Sequence, residues 1–455
     1  MRTLIKNVAI ATCDENDTLL ERASILVEDE TIAAIGTDLE VDATRLDRIV
    51  NLAGRHVAVP GFINGHHHLY QTLTRGLPAY QDAKLFDWLV GQYPLWAELT
   101  GEMVYASALV GLAELLLSGC TTASDMFYVF PRGSDVAVDH VIRAARDLGI
   151  RIHAGRGSMS RGVSAGGLPP DAVVQTPDQI LEDTERLVGR YHDPRPGARV
   201  RIDVMPCSPF SVTPELMRDS LAFARARGLL CQTHLAETRD EEDYCLETFN
   251  KRPVAYMEEL GWLGPDVSFA HGIHLAPDEV VLLGQTGTGV VHCPSSNMRL
   301  ASGVAPVLDL LAAGSPVGLG VDGSSSNDGG NLLAEARQAM LVGRLRYGPG
   351  FSARQALSLA TRQGAGLLRR PELGSLAPGQ AADLALFDLD RVEYAGAAVH
   401  DPIGALLLCQ PTAPRFVMVA GKMVVEAGEI VTVDLPRAVA EHNRLARQLA
   451  LAPSV

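Results

Sequence analysis

The sequence predicts an α/β protein, a (β/α)8 TIM-type barrel joined to a small β-sandwich domain that both chain ends build. Two observations carry this expectation. Between residues 57 and 321 eight short apolar runs alternate with helical segments, the rhythm of a closed parallel barrel. The short, turn-punctuated runs of the first fifty residues return after residue 370. The 455 residues leave room for more than one domain, and 47% hydrophobic with 20% charged residues is ordinary globular composition.

Taken in order, residues 1–57 form the first part of the sandwich, with strands expected around 23–27 and 32–35. Residues 58–370 form the barrel, whose first strand begins at its edge: the strand runs are 57–63, 121–124, 151–154, 200–205, 229–235, 267–270, 289–291 and 317–321. Helices fall between them, among them 102–117 with Gly119 as its stop, 213–227 stopped by Gly228, and 305–313 stopped by Gly314. Residues 371–455 complete the sandwich with strands at 382–387 and 415–419, a turn at Ala420-Gly421-Lys422, and a C-terminal helix.

The formal net charge of −15 argues against a polyanionic partner, so neither nucleic acid nor an anionic membrane surface is expected. Glu114 and Asp309 interrupt the longest apolar stretches, and no bilayer span is expected. Residues 1–15 lack the apolar core and cleavage site of a secretion signal. Seven cysteines without a Cys-x-x-Cys pair read as reduced thiols, which places the protein in the cytoplasm. The sequence leaves homo-oligomerisation open.

The residues that follow the strand runs carry the chemistry. Strand one leads into Asn64-Gly65-His66-His67-His68, strand five ends in Thr233-His234, strand six leads into His271, strand seven into His292 and strand eight into Asp322. All five deliver a His or Asp to one end of the barrel. An extended backbone points His66 and His68 to one side and His67 to the other, so the first two can chelate one ion. His66, His68, His234 and Asp322 then make a nitrogen-and-oxygen set suited to zinc, with iron or manganese also compatible. Glu237, just past the third ligand, is placed to shuttle protons, the lesser alternative being that it belongs to a solvated charged run 237–243. His271 is assigned to the metal-bound water or to developing negative charge. His292 stands between substrate contact and packing, while His67, His153 and His274 are read as structural.

These segments also resemble a known family. Pro60-Gly61-Phe62-Ile63-Asn64-Gly65-His66-His67-His68, Thr233-His234-Leu235-Ala236-Glu237, Ala270-His271-Gly272 and Gly320-Val321-Asp322-Gly323 are similar to the motifs of the amidohydrolase superfamily, in its branch of aromatic deaminases and triazine hydrolases. The likeness spans nearly the whole chain. Residues 68–75, 155–160 and 292–300 resemble the oxidised-purine deaminases of that branch, which implies hydrolysis of 8-oxoguanine at C2 to urate and ammonia. Guanine deamination and hydroxy-s-triazine aminohydrolysis are the alternatives. A non-catalytic scaffold would be marked by a lost ligand, and none is lost.

The resemblance implies roles at further positions. Of four lysines, Lys6, Lys84, Lys251 and Lys422, none lies between His153 and His234, so the lysine-bridged two-metal variant is not expected and one ion per chain is. Gln71 matches the purine-binding glutamine of the family. Cys207 stands where guanine deaminases carry an arginine, which argues against guanine as best substrate, and Arg156 is a candidate replacement donor, the alternative being a surface salt bridge. The implied reaction uses Asp322 and His271 to accept a proton from water and Glu237 to protonate the ring nitrogen beside the attacked carbon.

Overall fold

A computed structural model describes residues 1–37 and 39–451, so the last four residues of the expected C-terminal segment lie outside the described ones. Eight parallel strands close into a barrel: β1 Phe62–Asn64, β2 Cys120–Phe127, β3 Arg151–Ser158, β4 Val200–Pro206, β5 Cys231–Leu235, β6 Val267–His271, β7 Gly289–His292 and β8 Val317–Leu319. Each pairs with its sequence neighbour, and Leu319 opposite Asn64 closes the ring. β2 and β6 are buried along their whole length, as parallel strands covered on both faces must be.

Two expected strands are divided. The run 57–63 breaks at Gly61: His56–Pro60 pairs antiparallel with Leu384–Asp388 in the end sheet, and only Phe62–Asn64 enters the barrel. A Cβ on Gly61 would sit 2.2 Å from Thr121 Oγ1, so only glycine lets the chain pass from one sheet to the other here. The run 317–321 ends at Leu319, and Asp322–Gly323 pairs with His67–His68 in a separate two-stranded ribbon beyond the barrel strands. That ribbon holds two ligand segments in register.

The helices follow their caps. Gly101–Leu116 starts on the Thr100 side chain, which accepts from Met103 N, and Pro214–Arg227 starts on Thr213 and ends at left-handed Gly228. Val307–Ala313 begins two residues later than expected, after Pro306, and ends at Gly314.

Both chain ends join in one nine-stranded sheet. Arg2–Ala11 lies inside it, antiparallel to Leu19–Glu28 and parallel to Arg48–Asn51 and His56–Pro60. The hairpin from Phe416–Val419 to Lys422–Glu426 turns on Ala420 and Gly421, both at positive φ, the twist that two-residue hairpins favour. Ile5, Ile10, Ile25, Leu384 and Met418 form a core of their own beneath this sheet. Buried Arg151 on β3 grips Asp383 with two hydrogen bonds of 2.8 and 2.9 Å and so fastens the barrel to it. No helix of the described residues is long and apolar enough to cross a membrane.

Candidate metal centre and active site

Three histidines have their ring orientations set by groups that can only accept from them. His68 Nδ1 lies 2.8 Å from the Met126 carbonyl, and His234 Nδ1 lies 2.7 Å from the Cys207 carbonyl. Gln232 donates its amide to Gly65 O and Ser268 Oγ, which turns its oxygen to His66 Nδ1 at 2.6 Å. Each Nδ1 therefore carries the proton and each Nε2 is a bare lone pair. Burial holds the His68 imidazole down to about 3, with neighbouring His66 adding to it, and holds His234 well below its ordinary value.

These lone pairs converge. His68 Nε2 and His234 Nε2 lie 3.0 Å apart, and Asp322 Oδ1 is 3.4 Å from Nε2 of both His66 and His68. One donor atom from each of His66, His68, His234 and Asp322 falls within 4.8 Å of the others, all buried. Two neutral imidazole lone pairs at 3.0 Å repel each other, and His66 Nε2 has no hydrogen-bond partner among the described residues. A cation among the four resolves both, and three imidazoles with one carboxylate fit zinc.

The backbone at the site is held in an uncommon conformation. Ala236, His271 and Asp322 have φ of 54°, 76° and 63°, in the left-handed region that non-glycine residues avoid. At Ala236 the cause is visible: the Glu241 carboxylate accepts from the backbone N–H groups of Ala236 and Glu237, at 2.9 and 2.8 Å. Glu237 is thereby turned inward and is 4% exposed, so it does not belong to the solvated part of the charged run, which Arg239, Asp240 and Asp243 form. Burial, reinforced by Asp322, raises the Glu237 carboxyl well above its usual range. Its Oε2 lies 3.5 Å from His271 Nε2 and its Oε1 has no partner among the described residues. Burial pushes Asp322 up, but the surrounding His66, His271 and His68 outweigh it and hold the carboxyl well below the ordinary value.

A cavity opens on these groups. Trp88, Tyr128 and Phe210 supply aromatic wall, Leu85, Leu89 and Leu300 aliphatic wall, and Gln71, Cys207, Glu237 and Ser326 the polar points. A flat aromatic ring with a few hydrogen-bonding edges is the ligand such a lining suits. Gln71 Oε1 has no partner among the described residues and packs on Gly323, where a Cβ would come within 1.8 Å of it.

The structure thus brings His66, His68, His234, Asp322, Glu237, His271, Gln71 and Cys207 together. Arg156 is not brought there. Its guanidinium lies over the Phe130 ring and donates to Asp183, Gln175 and the Gly157 carbonyl, so the expected role as a carbonyl donor is corrected to that of a buried structural cation. His292 does not line the cavity either; it is buried, with its imidazole pushed down to about 3 by burial and by His271. His67 accepts from His68 N, His153 pairs with Asp203 and His274 meets the Ser302 carbonyl.

Sequence reasoning missed Gln232, Glu241, Tyr128 and Trp88. Gln232 lies two residues before His234 on one strand, hence on the same side, and Thr238-x-x-Glu241 has the spacing of a helix-capping pair. The aromatic walls carry no such local signal.

Comparison with known proteins places these features in one lineage. An 8-oxoguanine deaminase of Pseudomonas aeruginosa is 48% identical over 98% of this chain and 99% of its own length. A hydroxydechloroatrazine ethylaminohydrolase of Pseudomonas sp. strain ADP is 38% identical over 93% of this chain and 91% of its own. The crystal structure of an atrazine chlorohydrolase from Arthrobacter aurescens TC1 complexed with zinc superposes with a TM-score of 0.93 at 34% identity, covering 98% of this chain and all of that one. The family model described as "Amidohydrolase family" matches residues 57–429, and the chain belongs to that family.

Proposed function

We propose that this protein is a zinc-dependent hydrolytic deaminase that converts 8-oxoguanine and water to urate and ammonia. The observation that carries the reading is the placement of one buried carboxyl oxygen, that of Glu237, without a partner among the described residues, in an aromatic-walled cavity beside four converging metal-ligand atoms. A proton donor for a ring and a site for activated water then face the same space. Similarity to an 8-oxoguanine deaminase over nearly the full chain supports the substrate.

Zinc bound by His66, His68, His234 and Asp322 would lower the pKa of a water so that hydroxide is available near neutrality. The remaining work falls to the side chains. Asp322 and His271 take up the water proton, Glu237 gives its proton to the ring nitrogen beside C2, and proton return through the same groups lets the amino group leave as ammonia. Trp88, Tyr128 and Phe210 exclude solvent and hold the ring, while Gln71 Oε1 accepts from its polar edge. Cys207 lines the cavity without a charge, its thiol pushed up to about 12 by burial. The unpaired state of all seven cysteines supports a reducing, cytoplasmic setting.

Ammonia release from 8-oxoguanine, guanine, isocytosine and hydroxytriazines tests the reading. Because a site that pairs buried polar groups rejects analogues lacking them, kcat/KM for 8-oxoguanine should exceed that for guanine by at least about 10²-fold. Equal efficiency on guanine, or higher efficiency on a hydroxytriazine, removes the substrate assignment and leaves the aminohydrolase chemistry in place.

A further inference from the structure

The short helix Pro294–Arg299, directly after β7, touches both groups that the proposed reaction uses as proton acceptors. Asn297 Oδ1 lies 2.9 Å from His271 Nδ1. Its neighbour Ser296 donates its hydroxyl to Asp322 Oδ2 at 2.6 Å, and Ser326 reaches the same oxygen at 3.3 Å. Asp322 Oδ1, the oxygen turned to His66 and His68, accepts from Gly323 N instead. The two carboxylate oxygens thus have separate partners. Neither Ser296 nor Asn297 lines the cavity, and both are buried.

Asn297 is an expensive residue to keep. Its Nδ2 is buried without a partner among the described residues, and an unmet buried donor is destabilising. An apolar side chain of similar size would avoid that cost, so the amide oxygen at His271 needs a reason of its own.

We propose that Ser296 and Asn297 are positioning residues that set the two proton acceptors together: Asn297 keeps the His271 proton on Nδ1, leaving Nε2 bare toward Glu237 and Asp322, and Ser296 holds the outer oxygen of Asp322 on the His271 side. His271 Nε2 lies 3.5 Å from Glu237 Oε2 and 4.0 Å from Asp322 Oδ2, so the tautomer decides whether this nitrogen can receive a proton. In the opposite tautomer Nε2 carries hydrogen and the acceptor is lost. The kinetic consequence rests on the deaminase reading above; the tautomer does not.

The test uses the full, zinc-loaded chain with ¹⁵N-labelled histidine, and identifies the His271 ring signals as those lost in His271→Gln. Wild type and Asn297→Asp, which keeps an oxygen acceptor, should show a protonated Nδ1 and a bare Nε2; Asn297→Leu should lose that preference. With wild-type zinc content, Asn297→Leu should lower kcat about 10- to 100-fold, the range for partners one shell removed from the reacting groups, with little change in KM. Asn297→Asp should recover most of the loss, and Ser296→Ala should lower kcat without releasing zinc. A wild-type His271 protonated on Nε2, or Asn297→Leu with wild-type kcat, overturns the proposal. Since the ring signals are read without substrate, the expected tautomer in a chain that deaminates nothing would refute the proposed function and leave the role of Asn297 at His271 standing.

Discussion

Replacing Gln232 by leucine isolates the part of the metal centre that no ligand contributes. The side chains are close in size, so the buried site stays filled, but the oxygen 2.6 Å from His66 Nδ1 is removed. His66 then has a buried N–H with no acceptor, or turns its ring and withdraws Nε2 from the other ligands. Leaving one buried donor unmet costs about 1–3 kcal/mol. Loss of an outer partner of a ligating histidine weakens metal binding about 10- to 100-fold, or about 1.4–2.7 kcal/mol, so two independent routes give the same scale. Zinc affinity measured by competition with a chelator should fall by that factor, and activity at limiting zinc should fall with it. Ser268→Ala is the control: it takes away one acceptor of the Gln232 amide but leaves the oxygen on His66 and the bond to Gly65 O, so it should bind zinc nearly as wild type. Wild-type zinc affinity in Gln232→Leu would refute the reasoning that fixed tautomers make the three lone pairs converge.

Three further outcomes are expected. Glu237→Gln should retain zinc and fold but lose about 10²-fold or more in kcat, the scale of general acid–base catalysis, as read from ammonia release. Gly323→Ala places a methyl group 1.8 Å from Gln71 Oε1 and must expel that side chain, so steady-state kinetics should show KM raised by up to about tenfold, the worth of one hydrogen bond, at unchanged zinc content. The third concerns acid stability. Burial pushes the Asp383 carboxyl up, yet Arg151 and the Ala420 N–H outweigh it and leave it below its ordinary value. A depressed folded pKa contributes stability that is present above the unfolded value, about 3.9, and is lost as pH falls through the folded one. Arg151→Met should cost about 3–5 kcal/mol at neutral pH by leaving that carboxylate unpaired, and should reverse the slope, so that the variant loses stability as pH rises above about 4. Denaturant melts across pH check this, and parallel pH profiles for the two chains would contradict it.

How far the sequence could be read depended on whether a signal was local. The ligand set was legible because each member ends or follows a strand, and strand alternation alone separates His66 and His68 from His67. The barrel was legible through short strand runs that alternate with helical segments. The division at Gly61 had a local signal in Pro60-Gly61 that an apolar-run reading passes over, whereas the close approach of Thr121 that requires glycine there comes from 60 residues away in sequence. Likewise the Arg156 guanidinium is claimed by Asp183 and Gln175, a choice made by packing between β3 and the helix Pro177–Tyr191 and its preceding loop. Glu237 was legible as a candidate by its distance from His234. Its inward turn depends on Glu241 and a left-handed Ala236, which composition does not announce.

The central claim is that one metal ion in the His66, His68, His234 and Asp322 site supports deamination of 8-oxoguanine. Stripping the purified chain of metal, then titrating zinc back while following ammonia and urate from 8-oxoguanine together, tests it most directly. The expected result is no turnover in the stripped chain, one urate per ammonia on reconstitution, and activity that rises linearly and stops at one zinc per chain. Turnover without metal, ammonia without urate, or activity still rising to two zinc ions per chain would contradict it.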